Sequence, residues 1–577
     1  MVATDRSTAT LLAALVTFRA ELDTLSLRFD APHVDTTRKL RVATVGQLDD
    51  YVLPRLVQMD APLLAVVGGS TGAGKSTLVN SLVGARVSAS GVLRPTTRSP
   101  VLVHNPADAA WFERERILPE LARTDTPATD VGWLCLMPSA TVPPGLAILD
   151  APDVDSVDAA NRVLAAQLLD AADLWLFVTS ASRYADEVPW NFLKAAAKRS
   201  AAVAVVLDRT PPESLEEVRV HLARMLTARG LRDSPLFSVP EGPVDDQGLL
   251  EPAAVRPIAD WLHDLAIDPS IRGAIIAQTL DGAVRQMVFN AHDIADGAAE
   301  QIAISTRLHA AVETAFSDAR SSIEAATQDG TLLRGEVLAR WQEFVGAGDF
   351  VRSLEQRVGR IRDRFVDNVR GKRDRSDDIL IAIGHGLHLM LLRNAEAASE
   401  SVERSWVDIP AGEALLATDA TLGRAGMTFR AHSELVVREW RDSAVEMVRI
   451  ESANKRMTAR FLAFGVDGVA SGLMVVAFSR TAHRTPGTTD GAGAAGRLAE
   501  QLLGTIFGVE VVEELARRAH QDLMSRVVDL LASEKRRYLG TLETADIDHG
   551  AAENIRDVAR TIEDARHTDL VPDDWDQ

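Results

Sequence analysis

The segment VVGGSTGAGKSTLVNSLVG, Val66 to Gly84, holds residues whose types and spacing suit one chemistry, the binding of a phosphate chain. Gly69, Gly74, Lys75 and Ser76 satisfy the pattern G-x-x-x-x-G-K-[ST]. Its glycines let backbone N–H groups converge on phosphate oxygens along the run Gly69, Ser70, Thr71, Gly72, Ala73 and Gly74. Lys75 is expected to reach the β- and γ-phosphates, and the Ser76 hydroxyl to ligate Mg²⁺. A helix over Thr77–Val83 would start beneath the phosphates and aim its positive dipole end at them. A chance Gly/Ser turn can carry the same letters. Here the apolar run Leu63–Val67 precedes the loop, and Leu78, Leu82 and Val83 follow at helical spacing, which is the strand–loop–helix context the chemistry requires.

Three further groups could serve that chemistry. The apolar strand Leu146–Leu149 runs into Asp150-Ala151-Pro152-Asp153, and a carboxylate at a strand end can hold Mg²⁺, usually through water. The alternative for Asp150 is a turn aspartate. Between loop and strand lies GVLRPTTRSPVLV, Gly91–Val103, where Thr96 and Thr97 offer hydroxyls to a metal, although Thr-Thr beside Pro95 is also ordinary loop chemistry. Arg94 and Arg98 flank these threonines as candidate catalytic arginines or exposed loop charges. After the strand Val203–Leu207 stands Asp208-Arg209-Thr210-Pro211, where Asp208 could accept from a base or serve as a turn residue.

These groups need a scaffold, and the chain is long enough for two to four domains at 577 residues. Its 46% apolar and 25% charged content is that of an ordinary folded protein. A net charge of −20 argues against a general nucleic-acid binder, because an acidic surface repels phosphate backbones. The single cysteine, Cys135, excludes an internal disulfide and a cysteine-based zinc cluster, and its neighbours Leu134 and Leu136 suggest a buried strand thiol. That fits a reducing cytosol. Asp5, Arg6 and the early interruption of Leu11–Val16 by Arg19 and Glu21 argue against a secretory signal.

Two helices are expected between Leu11 and Leu56. Strand-like runs then alternate with helical stretches from Pro62 to Leu262, at Leu63–Val67, Pro100–His104, Trp133–Met137, Leu146–Leu149, Leu174–Val178, Val203–Leu207 and Leu236–Val239. This alternation predicts an α/β fold with a mostly parallel sheet and helices on both faces. From Arg272 onward the pattern is helical, with Ala274–Ala326 and Leu332–Val369 read as extended helices of a stalk or bundle. The latter carries Leu354, Val358, Ile361, Phe365 and Val369 on one face. Basic residues from Arg357 to Arg375 alternate with Glu355, Asp363, Asp367 and Asp374, as on a solvated helix face. His385 and His388 lack a third ligand at zinc spacing and read as core or surface histidines.

The run FLAFGVDGVASGLMVVAFS, Phe461–Ser479, is apolar except for Asp467 and is flanked by Lys455, Arg456, Arg460, Arg480 and Arg484. Its length approaches the roughly 20 residues of a bilayer span. Gly468 and Gly472 permit close helix contact, while Asp467 at a bilayer centre would cost about 2.5–3.5 kcal/mol. With the Gly/Thr-rich stretch Pro486–Gly496 and the shorter run Leu498–Val512, it reads as a hairpin dipping into a membrane or as a buried core pair. The flanking arginines favour lipid headgroups.

The chain resembles the dynamin-like GTPases, and more narrowly the bacterial dynamin-like proteins of actinobacterial type. The resemblance rests on GKSTLVNSLVG, TTRSP, the helical region after the nucleotide domain, the late apolar hairpin, and the stretches LDAPDVDSV, VVLDRTPPE and GEVLARWQEFVG. It is strongest over Leu63–Leu265 and mostly architectural beyond. It implies GTP hydrolysis with Mg²⁺, with Lys75, Thr97 and Asp150 as catalytic residues and Ser76, Thr97 and Asp150 on the metal. Nucleotide would be held by residues 69–77, Gly69 to Thr77, with Asp208 and Arg209 near the base. It further implies dimerisation or higher assembly through the nucleotide domains, a second dynamin-like protein as a possible partner, and action on anionic lipid at the cytoplasmic face of the cell membrane. The implied organisation is N-terminal helices over 1–58, a GTPase domain over 59–266, a stalk over 267–456, a paddle over 457–512 and a C-terminal stalk helix with an acidic tail over 513–577.

Departures from that pattern matter. Thr71 and Gly72 stand where dynamins carry a Gln-Ser pair, Asp153 replaces the glycine whose N–H meets the γ-phosphate, and the guanine-reading aspartate is missing at its usual spacing after Asp208. Slow hydrolysis, a nucleotide-gated scaffold or a P-loop ATPase therefore stand as alternatives.

Overall fold

The structure is a computed structural model that describes the chain apart from residues 1, 90–98, 114–116, 120, 127–131, 157, 199–200, 346–364, 454–458, 482–490 and 570–577. It divides into two compact units, one of residues 1–27, 33–299 and 548–577, the other of 28–32 and 300–547.

In the first unit, α1 (Val2–Thr24), α2 (Val34–Gln47) and α3 (Leu53–Val57) precede β1 (Leu63–Gly69) and α4 (Lys75–Val83). Then come β2 (Val101–His104), α5 (Ala109–Phe112), β3 (Ala122–Thr124), β4 (Trp133–Pro138), β5 (Leu146–Asp150), α6 (Ala159–Asp170), β6 (Leu174–Ser180), α7 (Glu187–Lys198), β7 (Ala202–Thr210), α8 (Leu215–Thr227), β8 (Leu236–Pro240) and α9 (Pro252–Ile267). The strands form one eight-stranded sheet in the order β3-β4-β2-β5-β1-β6-β7-β8. Every described neighbour pair is parallel except β2 with β5.

The alternation of a strand explains the layers. Leu63, Ala65 and Val67 of β1 join one apolar cluster with Leu78, Val79 and Val83 of α4 and Val255, Ile258 and Leu262 of α9. On the opposite face, a Cβ placed on Gly68 would meet Leu169 of α6 at 3.0 Å. With helices on both sides, all seven β1 residues are buried, which is why the central strands read as unbroken apolar runs. The thiol of Cys135 is buried in β4, and burial pushes its pKa up.

The seven expected strands are present, most extended by one to three residues. The three-residue edge strand β3 was not expected, since so short a run has no readable period. Nor was the antiparallel β2–β5 pairing, whose register sets Val101 opposite Asp150. The two expected N-terminal helices are α1 and a second, unbroken helical run from Val34 to Val57, in which a π-helical turn at Leu48–Val52 separates α2 from α3. In the same unit α18 (Ala551–Asp569) packs along α1. Leu11, Leu15, Phe18 and Leu22 are buried on α1, and Ile555, Ala559 and Ile562 on α18.

A buried ion pair anchors α3 to the sheet. Arg55 Nε donates to Asp173 Oδ1 at 2.9 Å, and Arg55 Nη2 donates to Asp173 Oδ2 as well. Tyr51 Oη donates to Oδ1 at 3.2 Å, and the Leu64 N–H to Oδ2 at 2.8 Å.

The helix α10 (Pro269–Ala326) enters the second unit, which continues with α11 (Glu336–Val345), α12 (Phe365–Val407), α13 (Pro410–Thr418), α14 (Met427–Ala453), α15 (Ala459–Phe478), α16 (Gly491–Phe507) and α17 (Val509–Glu543). It is an all-helical bundle around one large apolar cluster. Trp406 Nε1 donates to Leu308 O at 3.2 Å, Trp440 Nε1 to Ala519 O at 2.8 Å and Tyr538 Oη to Leu422 O at 2.6 Å, so the bulky core side chains keep their polar ends satisfied. The helix expected over Leu332–Val369 begins later, at Glu336, because positive φ at Gly330 and Gly335 brackets a turn. Leu354, Val358 and Ile361 lie outside the described residues, as do the basic run from Arg357 to Arg364 and the acidic chain end. His388 is buried, and its Nδ1 lies 2.9 Å from Ser433 Oγ.

Along α15 every residue from Val469 to Ser479 is buried in this bundle. Gly472 faces Leu503 of α16, and the ring of Phe478 lies 5.3 Å from that of Trp440. Among the described residues no helix is long and apolar enough to cross a membrane.

Candidate nucleotide-binding site

The phosphate loop runs from the end of β1 to the start of α4, at the carboxyl edge of the sheet where open α/β folds bind their ligands. Two of its glycines are irreplaceable on geometry. Gly69 has φ +147°, and a Cβ there would lie 2.0 Å from Val178 O of the neighbouring strand. Gly74 has φ +104°, and its Cβ would lie 2.0 Å from Asp208 Oδ2. The helix begins at Lys75, two residues before the expected Thr77.

Lys75 is buried, and its Nζ donates to Gly69 O at 3.0 Å, to Ser70 O at 3.1 Å and to Asp153 Oδ1. Ser76 Oγ donates to Asp150 Oδ2 at 2.7 Å, and Ser88 Oγ donates to the same oxygen at 2.5 Å. Asp150 Oδ1 is buried with no hydrogen-bond partner. Complete burial pushes the Asp150 carboxyl above its ordinary range, against the hydrogen bonds from Ser88 and Ser76 and the charge of Lys75. Hard oxygens of Ser76 and Asp150, one of them unsatisfied, are a donor set that suits Mg²⁺. Among the described residues no cluster of three His, Cys, Asp or Glu could hold a metal unaided, so an ion here would draw further ligands from phosphate or water.

Asp155, two residues beyond Asp153, accepts from Thr71 twice, from its N–H at 2.6 Å and from its hydroxyl at 2.6 Å. Its other oxygen lies 3.1 Å from Arg183 Nη1, on the segment after β6. The stretch after β5 thus grips the loop at Lys75 and at Thr71.

Asp208 is buried against Gly74, and its Oδ1 accepts the Arg209 N–H at 2.7 Å. Burial pushes its carboxyl up to about 6, opposed by that N–H and the Arg209 charge and reinforced by Glu241. Arg209 has φ +50° and is exposed. Thr96, Thr97, Arg94 and Arg98 lie outside the described residues. Ser70, Ala73 and Gly74 line the loop beside Lys75 and Ser76, Gly72 takes φ +77°, and Thr77 sits in the first turn of α4. Sequence reading missed Ser88, Asp155 and Arg183. Asp155 stands five residues after Asp150 and Arg183 three after the end of β6, whereas nothing near Ser88 in the sequence pointed to Asp150.

A mostly parallel sheet with a glycine loop closing on lysine after β1 and a buried carboxylate at the end of β5 defines an α/β P-loop domain, joined to an all-helical unit. No family model matches the chain. It is similar to a protein of Arabidopsis thaliana described as "Probable transmembrane GTPase FZO-like, chloroplastic", at 28% identity over 137 residues. That match takes in 24% of this chain and 14% of the plant protein's length. Among solved structures, the chain is similar to members of an oligomerised bacterial dynamin pair described in the long-range sensing and tethering of membranes, with TM-score 0.43, 11% identity, and 92% and 95% of the two chains covered. It is also similar to the LeoA bacterial dynamin GTPase from ETEC, with TM-score 0.23, 11% identity and 98% of each chain covered.

Proposed function

We propose that the protein is a dynamin-like GTPase that binds and hydrolyses GTP with Mg²⁺ and couples dimerisation of its nucleotide domains to membrane remodelling or tethering. The observation that carries the nucleotide part is the convergence of Lys75, Ser76 and Asp150 at the carboxyl edge of β1 and β5. The loop amides and Lys75 hold the phosphates, while Ser76, Asp150 and Thr97 hold the ion, with Ser88 steadying Asp150. Mg²⁺ bound there neutralises charge building on the phosphates. Asp208 braces the loop through Gly74, with Arg209 on the solvent side of that contact.

The membrane part rests on the apolar α15–α16 pair with arginines at its borders and on the resemblance to dynamin-like proteins. The surface it would meet is anionic lipid at the cytoplasmic face of the cell membrane, with a second copy, or a second dynamin-like chain, as the assembly partner. Turnover of GTP and of ATP, each with and without anionic liposomes, tests the reading. GTP turnover that Lys75→Ala abolishes supports it, and turnover unchanged in that variant refutes the site. Equal pelleting with liposomes of the full chain and of one lacking 461–512 refutes the hairpin as the lipid contact.

A second reading, a nucleotide-gated scaffold with negligible hydrolysis, is favoured by the carboxylate of Asp153 on Lys75. Single-turnover hydrolysis no faster than that of free nucleotide would select it. The engagement of Asp208 with Gly74 leaves the base unread by that carboxylate, so competition between GTP and ATP decides whether the protein is instead a P-loop ATPase.

A further inference from the structure

Asp153 occupies the charge that a phosphate needs. Lys75 is buried, its ammonium is enclosed by Gly69 O, Ser70 O and Asp153 Oδ1, and of these only the carboxylate carries a full opposing charge. Asp153 is itself 27% exposed, so solvent reaches this carboxylate while the lysine it holds is only 5% exposed. It does not stand there loosely. Two residues on, Asp155 is fastened to Thr71 at the far arm of the loop by two hydrogen bonds of 2.6 Å and to Arg183 at 3.1 Å. On the inner side, Asp150 is held by Ser76 and Ser88. The segment between these two anchors is short, and it presents Asp153 to the lysine.

We propose that Asp153 is an affinity-setting residue of the nucleotide site, an internal anion that competes with the nucleotide's phosphates for Lys75. The proposal rests on the reading of the loop as a nucleotide site and adds to it a specific competitor. The Asp153 carboxylate and a triphosphate would compete for one ammonium, so phosphate entry requires Asp153 to leave Lys75, and the separation of that pair opposes binding. The competition concerns phosphate alone: it is blind to the base and to the ribose.

The experiment measures equilibrium binding of a fluorescent GTP analogue in Mg²⁺ to the full chain and to Asp153→Asn, Asp153→Gly and Asp153→Glu. Removing the charge is expected to tighten binding by about tenfold in both the Asn and the Gly variants, whereas the Glu variant, which keeps the charge, stays near the parent. Inorganic tripolyphosphate used as a competitor gains in the same proportion, and guanosine, which has no phosphate, does not. A residue with a merely structural role would loosen the site in all three variants and would not separate tripolyphosphate from guanosine. The thermal midpoint of each variant guards against misfolding, and two independent charge-removing variants are compared for the same reason. Binding that is unchanged or weaker in both folded charge-removing variants overturns the proposal while leaving the nucleotide site standing. Failure of the parent and every variant to bind the GTP analogue overturns the nucleotide site itself, and this inference with it.

Discussion

Ser88 Oγ donates to Asp150 Oδ2 at 2.5 Å, the oxygen that also accepts from Ser76 at 2.7 Å. Two hydroxyls therefore orient one buried carboxylate and leave its other oxygen free of hydrogen bonds. Such an outer partner fixes the direction of a ligand without touching the ion. Ser88→Ala is expected to weaken the Mg²⁺ dependence of nucleotide binding by about 10- to 100-fold, read as a shift in the Mg²⁺ concentration that supports half-maximal binding. An unshifted Mg²⁺ titration would show that Asp150 is oriented by Ser76 alone.

Asp208 gives the fold a pH dependence with a definite sign. Its carboxyl titrates near 6 in the folded chain, against an ordinary 3.8. Between about pH 4 and 6 the unfolded chain has released this proton while the folded chain keeps it, so stability falls as pH rises through that window. The full penalty, on the order of 2–3 kcal/mol, is present above about pH 6. Asp208→Asn can still accept the Arg209 N–H and has no charge to desolvate. Its unfolding midpoint is expected to match the parent's at pH 4 and to exceed it at pH 7.5. A gap of equal size at both values would remove the carboxyl as its source.

The Arg55–Asp173 pair ties α3 to the start of β6 with both partners almost fully buried, at 6% and 1% exposure. Removing one member leaves an uncompensated buried charge, so Asp173→Asn or Arg55→Met is expected to cost about 3–5 kcal/mol in urea unfolding. The double variant should lose less than the sum of the two, since the second change removes the stranded charge. Strict additivity would mean that the two side chains do not act as a pair.

The sheet was legible because its central strands are covered on both sides and so appear as plain apolar runs, of which β1 is the clearest. The loop was legible because Gly69, Gly74, Lys75 and Ser76 each answer a separate steric or chemical demand at fixed spacing. What escaped were pairings that the fold creates at a distance. Ser88 meets Asp150 across 62 residues and Thr71 meets Asp155 across 84, and no local pattern marks either. The three-residue β3 gains its place from β4 and has no period of its own. The segment Phe461–Ser479 was ambiguous for a different reason: a helix apolar on all sides suits a bilayer and a bundle core equally, and hydropathy does not distinguish the two solvents.

That ambiguity has an experimental handle. Leu473 is 1% exposed, in the middle of an α15 stretch whose residues from Val469 to Ser479 are all buried, so these side chains can meet lipid only after leaving their bundle. The apolar contacts that hold them are therefore a barrier to lipid contact as well as a source of stability. Leu473→Ala is expected to cost about 2–5 kcal/mol of bundle stability through lost burial and the cavity left behind. If the pair reaches lipid by undocking, the same substitution lowers the barrier and removes only one of many apolar groups from the lipid-facing set. Co-sedimentation with anionic liposomes should then rise while the thermal midpoint falls. The two readouts moving in opposite directions would be hard to obtain from simple damage to a lipid-binding surface, which lowers both. Lower pelleting together with a lower midpoint would mean that the hairpin serves the membrane, if at all, only from within an intact bundle.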